Sequence, residues 1–516
     1  MQQYEPVIGL EIHVQLKTKS KMFCSCDNTG ETKPPNTTIC PICLGHPGVL
    51  PVVNMQAVQW ALQAAQALYC QINLKSHFDR KSYFYPDLPK GYQITQHSAP
   101  FGHDGHLIVN GRTGKHRIRI ERVHLEEDTG KLLHEADKRA SYVDYNRAGT
   151  PLLEIVTRPD VPDPQTARIF LQELRLIMRY LGISDADMEK GHLRCDANIS
   201  LRPNPEYFLD KADQAGIGLD PHKLYPKTEI KNLNSFRSVE KALSYEITKQ
   251  TELWEKEKAP QEQSTHGWDE KQGQTVLQRT KEEKHDYRYF PEPDLPGFDF
   301  SKSFIDEIRK KTVEQPYEKR QRFQEEFGLG AYDVNILVAD KKLSEFFEQV
   351  ISELKAWLLS LEQVEGSEEE IWNKNKKKLV KKAANWVITR LLALTNENGV
   401  KIAEIKITPE NFAELITLIY QNKLNNQTAV IVLEKMFLTG QDPSDITEEG
   451  DLNQLTDDKG LEQIAEKVIK ANKKVVEQFQ AGKTASLQYL IGQVMKQSKG
   501  RADAKKAAEI LTYKLQ

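Results

Sequence analysis

Residues 193–202, Leu-Arg-Cys-Asp-Ala-Asn-Ile-Ser-Leu-Arg, alternate without a break between apolar and polar side chains. A period of two over ten residues predicts a β-strand with one buried face and one chemically dressed face. Leu193, Cys195, Ala197, Ile199 and Leu201 form the apolar set, and Arg194, Asp196, Asn198, Ser200 and Arg202 point the other way. Residues 8–16 repeat the arrangement, with Ile8, Leu10, Ile12, Val14 and Leu16 opposed to Glu11, His13 and Gln15. Solvated sheet faces carry Lys, Thr and Glu in no special order. Two strands that present Arg, Asp, Asn, His and Glu instead suit a polar substrate held on a sheet.

At 516 residues the chain is too long for one core, and three domains are expected. Its 39% hydrophobic and 28% charged residues fit a soluble globular protein. No run approaches the 18 or so apolar residues of a membrane helix. The start, Met-Gln-Gln-Tyr-Glu-Pro, has no basic region followed by an apolar stretch, so no secretory signal is expected. A cytoplasmic location follows, with the six cysteines as thiols rather than disulfides. A net charge of −3 gives no bulk argument for nucleic acid, which would need a local basic patch.

Up to about residue 295 the pattern mixes short strands, Gly/Pro turns and a few helices, an α+β texture. Asn54 caps an apolar-periodic run through Val58, Ala61, Leu62, Ala65 and Leu68. Asp163 and Pro164 open a helix with a stripe of Ala167, Phe170, Leu171, Leu174, Ile177, Met178 and Leu181 that stops at Gly182. Ser235 caps another that is expected to reach about Thr248, and 251–284 reads as an exposed loop or peripheral hairpin. From about 298 helical periodicity takes over. There Glu368, Glu369 and Glu370 precede Lys374, Lys376, Lys377, Lys378, Lys381 and Lys382, which fits either a solvated helical insertion or an RNA-backbone contact. Thr408-Pro-Glu opens a C-terminal helical region, and from Lys483 onward seven basic residues face two acidic ones, a modest footprint for phosphate.

Three groups of residues can carry chemistry. Cys24-x-Cys26 and Cys40-x-x-Cys43 are two close thiol pairs that can close a tetrahedral zinc site. Four cysteines leave no open position, so the site would staple a loop and not catalyse. Glu126, Glu127 and Asp128 follow a strand-like stretch, and Glu154 sits inside Pro-Leu-Leu-Glu-Ile-Val. A carboxylate in an apolar strand must be paired, hydrogen-bonded or metal-bound. With His13 these groups suit Mg²⁺ awaiting substrate phosphates, and a structural ion pair of Glu154 with Arg147 or Arg158 fits the pattern equally. Third, Asp79 to Gln93 interleaves cations with aromatics in what reads as a proline-rich loop, either a grip for phosphates and bases or a packed surface loop. There is no P-loop signature and no Gly-x-Ser-x-Gly elbow.

Eight ordered blocks together resemble one family, the B subunit of the glutamyl/aspartyl-tRNA amidotransferase (GatB). They are Val7–Leu16, Pro47–Asn54, Asp79–Gln93, His124–Lys131, Asn146–Glu154, Gly191–Pro203, Glu229–Phe236 and Asp286–Pro296, with weaker likeness at Ala384–Trp386 and Ile491–Lys496. The resemblance implies a mixed-sheet cradle domain over 1–296, an all-α helical linker over 297–405 and an all-α YqeY-like, tRNA-binding tail over 406–516. It implies a ligase that uses ATP to phosphorylate the side-chain carboxylate of Glu-tRNA(Gln) or Asp-tRNA(Asn) and then amidates it with ammonia. The ammonia would come from glutamine hydrolysis on an amidase A subunit, with a small C subunit completing a heterotrimer. By the same resemblance His13, Glu126 and Glu154 would hold Mg²⁺, and Lys81 would meet nucleotide or acyl-phosphate oxygens. Glu11, Arg194 and Asp196 would orient the aminoacyl end, and Cys24, Cys26, Cys40 and Cys43 match a zinc-binding subgroup. The charged stretch 355–382 looks longer than the family's linker. The rival reading is a non-catalytic tRNA-binding scaffold with the same fold, which would have no reason to gather His13, Glu126 and Glu154.

Overall fold

A computed structural model describes residues 3–135, 140–204, 223–280, 287–359, 367–450, 452, 458–481, 483–498 and 500–515. Asp286, Lys499 and residues 360–366 of the 355–382 charged stretch therefore lie outside the described residues. The chain forms two compact units, Met1–Tyr317 and Glu318–Gln516.

The first unit is built on a nine-stranded sheet. Its strands, with those of a small neighbouring sheet, are β1 (Tyr4–Gln15), β2 (Gln71–Ile72), β3 (Asp79–Ser82), β4 (Tyr92–Thr95), β5 (Gly102–Gly111), β6 (Gly114–Glu127), β7 (Pro151–Thr157), β8 (Leu193–Pro203), β9 (Thr228–Leu233), β10 (Ser264–Asp269), β11 (Gln274–Thr280) and β12 (Phe290–Pro291). The order in the large sheet is β11-β10-β9-β8-β1-β7-β6-β5-β2, and β12-β3-β4 form the small one. Among the described strands only β9 and β10 run parallel, so the sheet is mixed. The two alternating segments lie side by side as β1 and β8 at its centre, where both faces are decided by side-chain parity. Ile8, Ile12, Val14, Leu193, Ala197 and Ile199 are all completely buried.

Three helices cover that apolar face: α1 (Met55–Ala67), α2 (Pro164–Leu181) and α3 (Phe236–Glu255). Asp163 caps α2 by accepting a 2.8 Å hydrogen bond from the Thr166 N–H, Pro164 fixes its first turn, and Gly182 ends it at φ +71°. Its stripe of Phe170, Leu171, Leu174, Ile177 and Met178 is buried in the sheet's core, each side chain worth about 1.5–3 kcal/mol by apolar transfer. The Asn54 and Ser235 caps form as expected. α3 runs past Thr248 to Glu255 because its far end stays anchored: Gln250 is buried and donates to the Thr228 hydroxyl at 3.2 Å. Of the two readings of 251–284, the peripheral hairpin forms, at 264–280 on the edge of the main sheet, where β10 runs alongside β9. The unit also continues beyond residue 297, because Phe300, Ile305 and Ile308 are buried in the same core.

The second unit is helical throughout its described residues. Helices Lys341–Leu359, Glu368–Trp386 and Pro409–Tyr420 pack together. Ser367 and Glu370 form a reciprocal capping box at the head of the lysine-rich helix, and Thr408 caps the third with Pro409 in its first turn. A separate small core joins Leu461, Ala465, Val468, Leu490, Val494, Ala507 and Leu511 near the C-terminus. No described helix is long and apolar enough to cross a membrane.

Candidate functional site

Register brings the site together. Arg194 on β8 stands opposite His13 on β1, His13 opposite Glu154 on β7, and Glu154 opposite His124 on β6. Glu11 and Glu126 lie two residues along their strands from His13 and His124, on the same face by parity. The His13 Nε2 is 3.3 Å from Glu154 Oε2, 3.5 Å from Glu126 Oε1 and 4.0 Å from Glu11 Oε1. Glu11, His13 and Glu154 offer ligand atoms within 4.8 Å of one another, and so do His124, Glu126 and Glu154. Glu11, His13, Glu126 and Glu154, expected as metal-site or cradle residues, thus fall in one place, drawn from three strands.

The sequence pattern does not single out His124. It shares the parity of Glu126 within Arg122-Val-His-Leu-Glu126, which is the signal that could have found it. Its Nε2 is 3.3 Å from Glu154 Oε2, and its buried Nδ1 has no hydrogen-bond partner among the described residues. Glu154 also has an arginine, but not an expected one. Arg122 Nη2 approaches it at 3.5 Å, whereas Arg147 lies 3.6 Å from Asp128 and Arg158 3.1 Å from Asp104.

Electrostatically the cluster is crowded with acid. Burial pushes the Glu126 carboxyl up, and the neighbouring Glu154 charge adds to it. Glu11 is raised by the same two causes. Burial acts on Glu154 in the same direction, but His124 and His13 outweigh it and hold it well below the usual carboxylate range. Burial alone would lower His13, yet its hydrogen bond and charge interaction with Glu154, then Glu126 and Glu11, raise it to about 9. Repelling carboxylates around one face of a sheet, with imidazole nitrogens beside them, are what a divalent cation neutralises.

Lys81 lies on β3, not in a loop. The segment 79–93 is two paired strands with a turn between them, because its polar residues are used internally. Asp79 is buried and accepts hydrogen bonds from the His97 and Ser98 N–H groups at 2.8 and 3.1 Å. Arg80 donates twice to Glu292, at 2.6 and 2.8 Å, and lies 4.2 Å from the centre of the Tyr92 ring. Phe84 and Tyr85 remain exposed. The Lys81 ammonium lies 4.9 Å from the centre of the Tyr287 ring. Burial works against its charge, but Glu126, Tyr289 and Glu154 more than compensate and leave its pKa raised.

Arg194 and Asp196 flank the cluster in ion pairs. Arg194 donates to Asp128 Oδ2 at 2.7 Å, and Gln15 donates to the same oxygen at 2.9 Å. Asp196 is paired with Lys231, whose ammonium also lies 3.2 Å from Glu229. A second cluster sits on the loops after β1. The sulfurs of Cys24, Cys26, Cys40 and Cys43 lie within 4.8 Å of one another, with Cys40 and Cys43 at 3.8 Å. Zinc–sulfur bonds of about 2.3 Å give a tetrahedron with edges of about 3.8 Å, so this donor set fits a tetrathiolate metal. The Cys40 N–H donates to Cys43 Sγ at 3.1 Å.

The model of the GatB/GatE catalytic domain matches residues 6–306, and that of the GatB domain matches 369–515. The chain is 43% identical over 504 residues to the B subunit of the aspartyl/glutamyl-tRNA(Asn/Gln) amidotransferase of Thermotoga maritima, covering 97% of this chain and 96% of that protein. It is 44% identical over 509 residues to the protein of the same name from Persephonella marina, with 99% of each covered. The Dehalococcoides mccartyi relative is 44% identical over 523 residues, the whole of both chains.

Proposed function

The chain belongs to the GatB family of amidotransferase B subunits, and from that premise we propose that it transfers the γ-phosphoryl group of ATP to the side-chain carboxylate of Glu-tRNA(Gln) or Asp-tRNA(Asn) and then lets ammonia displace the phosphate. A free carboxylate repels nucleophiles and has no good leaving group. Phosphorylation supplies one: a carboxylate oxygen bonds to phosphorus as ADP departs, ammonia then bonds to the acyl carbon, phosphate leaves with its oxygen, and nitrogen loses a proton.

His13, Glu126 and Glu154 hold Mg²⁺ in this reading, and the bound ion supplies positive charge for the phosphoryl oxygens. Lys81, whose charge Glu126 and Glu154 favour, would meet nucleotide or acyl-phosphate oxygens. Arg194, fixed by Asp128, and Asp196 and Glu11 beside it orient the aminoacyl end. The four cysteines hold structural zinc. An amidase A subunit delivers ammonia from glutamine, a small C subunit holds the pair in a heterotrimer, the basic tail contacts the tRNA body, and the complex works in the cytoplasm.

The observation that carries this reading is the convergence of His13, Glu126 and Glu154 by strand register on the polar face of the sheet. A scaffold that only binds tRNA has no use for buried carboxylates held against one another. The test is the double variant Glu126→Ala/Glu154→Ala in the reconstituted complex with ATP, glutamine and mischarged tRNA. ATP-dependent amidation is expected to fall by at least about 10³-fold, as for loss of a main charge-stabilising element, while glutamine hydrolysis by the partner persists. Amidation at the wild-type rate would overturn the metal assignment and favour the scaffold.

A further inference from the structure

Lys21 is the anomaly of the cysteine region. Its side chain is completely buried, yet no carboxylate pairs with its ammonium among the described residues. The Nζ donates to the Tyr145 carbonyl at 3.2 Å and lies 3.9 Å from Cys43 Sγ. Its stem runs close to Gly149, where a Cβ would lie 3.5 Å from Lys21 Cδ and 3.7 Å from Cys43 Cβ. The Lys21 N–H donates to the Cys26 carbonyl at 3.0 Å, so the same residue also helps form the turn that carries Cys24 and Cys26.

A sealed ammonium needs an anion. The group at hand is the sulfur cluster, and a divalent metal with four thiolates carries a net charge of −2. We propose that Lys21 is the charge-balancing and N–H···S-donating partner of the tetrathiolate metal centre, and that through Tyr145 it ties this centre to the 144–150 loop leading into β7. The same loop is clasped to the cysteine segment at other points. Asn146 Oδ1 accepts from the Thr37 and Thr38 N–H groups at 2.8 and 2.9 Å, and the Met22 N–H donates to the Gly149 carbonyl at 2.7 Å. Gly149 in turn donates to the Asp128 carbonyl at 2.9 Å, next to the strand that ends with Glu126 and Glu127. The metal centre and the oxygen-rich cluster are thereby joined through a few residues of backbone, with Lys21 as the link at the metal end.

This inference rests on the reading that the cysteines hold zinc, and the experiment separates the two. Full-length chain is loaded with Zn²⁺, its metal content is measured, and release to a chromogenic chelator is followed for wild type, Lys21→Met and Lys21→Arg. Failure of the wild type to retain one equivalent of zinc sinks the zinc reading itself. With zinc retained, Lys21→Met is expected to release it about 10–100-fold faster, the usual cost of losing a partner of a ligating atom, while Lys21→Arg stays near wild type. In Co²⁺-loaded protein the thiolate-to-metal charge-transfer band should move to lower energy in Lys21→Met at undiminished intensity, a change that lost packing alone would not cause. Release at the wild-type rate with an unmoved band overturns the proposal. Should Lys21→Met not fold, Lys21→Arg decides: zinc retention as in wild type upholds the role of the charge, and release accelerated by the same factor in a folded protein removes it.

Discussion

The first unit carries two clusters able to hold a metal, and they are opposites. Four sulfurs come from twenty consecutive residues on loops, close a tetrahedron and leave no position for a substrate. The oxygen and imidazole groups come from residues 11 to 154, stand on strands, and retain an opening: the Glu11 side chain is 36% exposed and His13 19%, against 5% for Glu126. A closed soft-donor site contributes stability, whereas a site left short of ligands holds mutually repelling charges ready for a partner that is not protein. The contrast predicts opposite responses to perturbation, stability without chemistry at the first and chemistry at the expense of stability at the second.

The largest effect expected on stability is zinc removal. Structural zinc contributes on the order of 10 kcal/mol to small modules. At about 2 °C per kcal/mol for a domain this size, even half of that lowers Tm by about 10 °C. The measurement is a thermal scan of zinc-loaded against chelator-stripped protein with excess Mg²⁺ present throughout, followed by zinc re-addition. An unchanged Tm in protein shown to have lost its zinc would erase the distinction between the two clusters.

The same contrast decides what could be read from the sequence. The cysteine site was legible because its spacing is local: two tight pairs within 24–43 need no knowledge of the sheet. The strands β1 and β8 and their faces were legible from parity alone, as were the caps at Asn54, Asp163 and Ser235. What parity cannot give is which strands are neighbours. No local pattern marks His124 or tells that an ion pair of Glu154 would involve Arg122 and not Arg147 or Arg158, because β6 meets β7 by a register that only the sheet fixes. The 79–93 strands were hidden for a related reason. Asp79 and Arg80 look like ligand-binding groups until Ser98 and Glu292 from outside the segment, and Tyr92 from the paired strand, take them up. The far end of α3 is likewise held by Thr228 and by the hairpin, not by its own periodicity.

A buried carboxylate away from both clusters gives an internal standard. Glu246 on α3 is 1% exposed, and it is satisfied by protein: Lys249 Nζ at 3.0 Å, His266 Nδ1 at 3.3 Å and the Thr275 hydroxyl. Burial pushes its pKa up, but His266, Thr275 and Lys249 together bring it from 4.5 to about 2. A depressed carboxylate adds stability above its unfolded pKa and loses it as pH falls through the folded one. Glu246→Gln should therefore cost on the order of 3 kcal/mol at pH 7, and the gap to wild type should close between about pH 5 and 2. Chemical denaturation of both proteins across that range measures it. A gap that persists unchanged into acid would mean that Glu246 acts by packing and not by charge.

Glu126 should behave in the reverse sense, by a smaller amount. It is as buried as Glu246, but its nearest charges include Glu154, and among the described residues the one neutral hydrogen bond it accepts is from the Thr95 hydroxyl at 3.1 Å. Its raised pKa means that the carboxylate form opposes folding: the penalty is absent below the unfolded value of 4.5 and grows as pH rises. Glu126→Gln keeps the shape and can still accept from Thr95 while removing one of the repelling charges. The metal-free variant is expected to be more stable than wild type by about 1 kcal/mol at pH 8, a rise of roughly 2–4 °C in Tm, with the advantage shrinking toward pH 4.5. Saturating Mg²⁺ should shrink or invert the difference, since wild type alone keeps every carboxylate proposed to ligate it and ligand binding stabilises the state that binds it. A Glu126→Gln protein less stable than wild type without metal, and equally responsive to Mg²⁺, would show Glu126 to be as structural as Glu246, and the open cluster would lose the feature that sets it apart from the sulfur one.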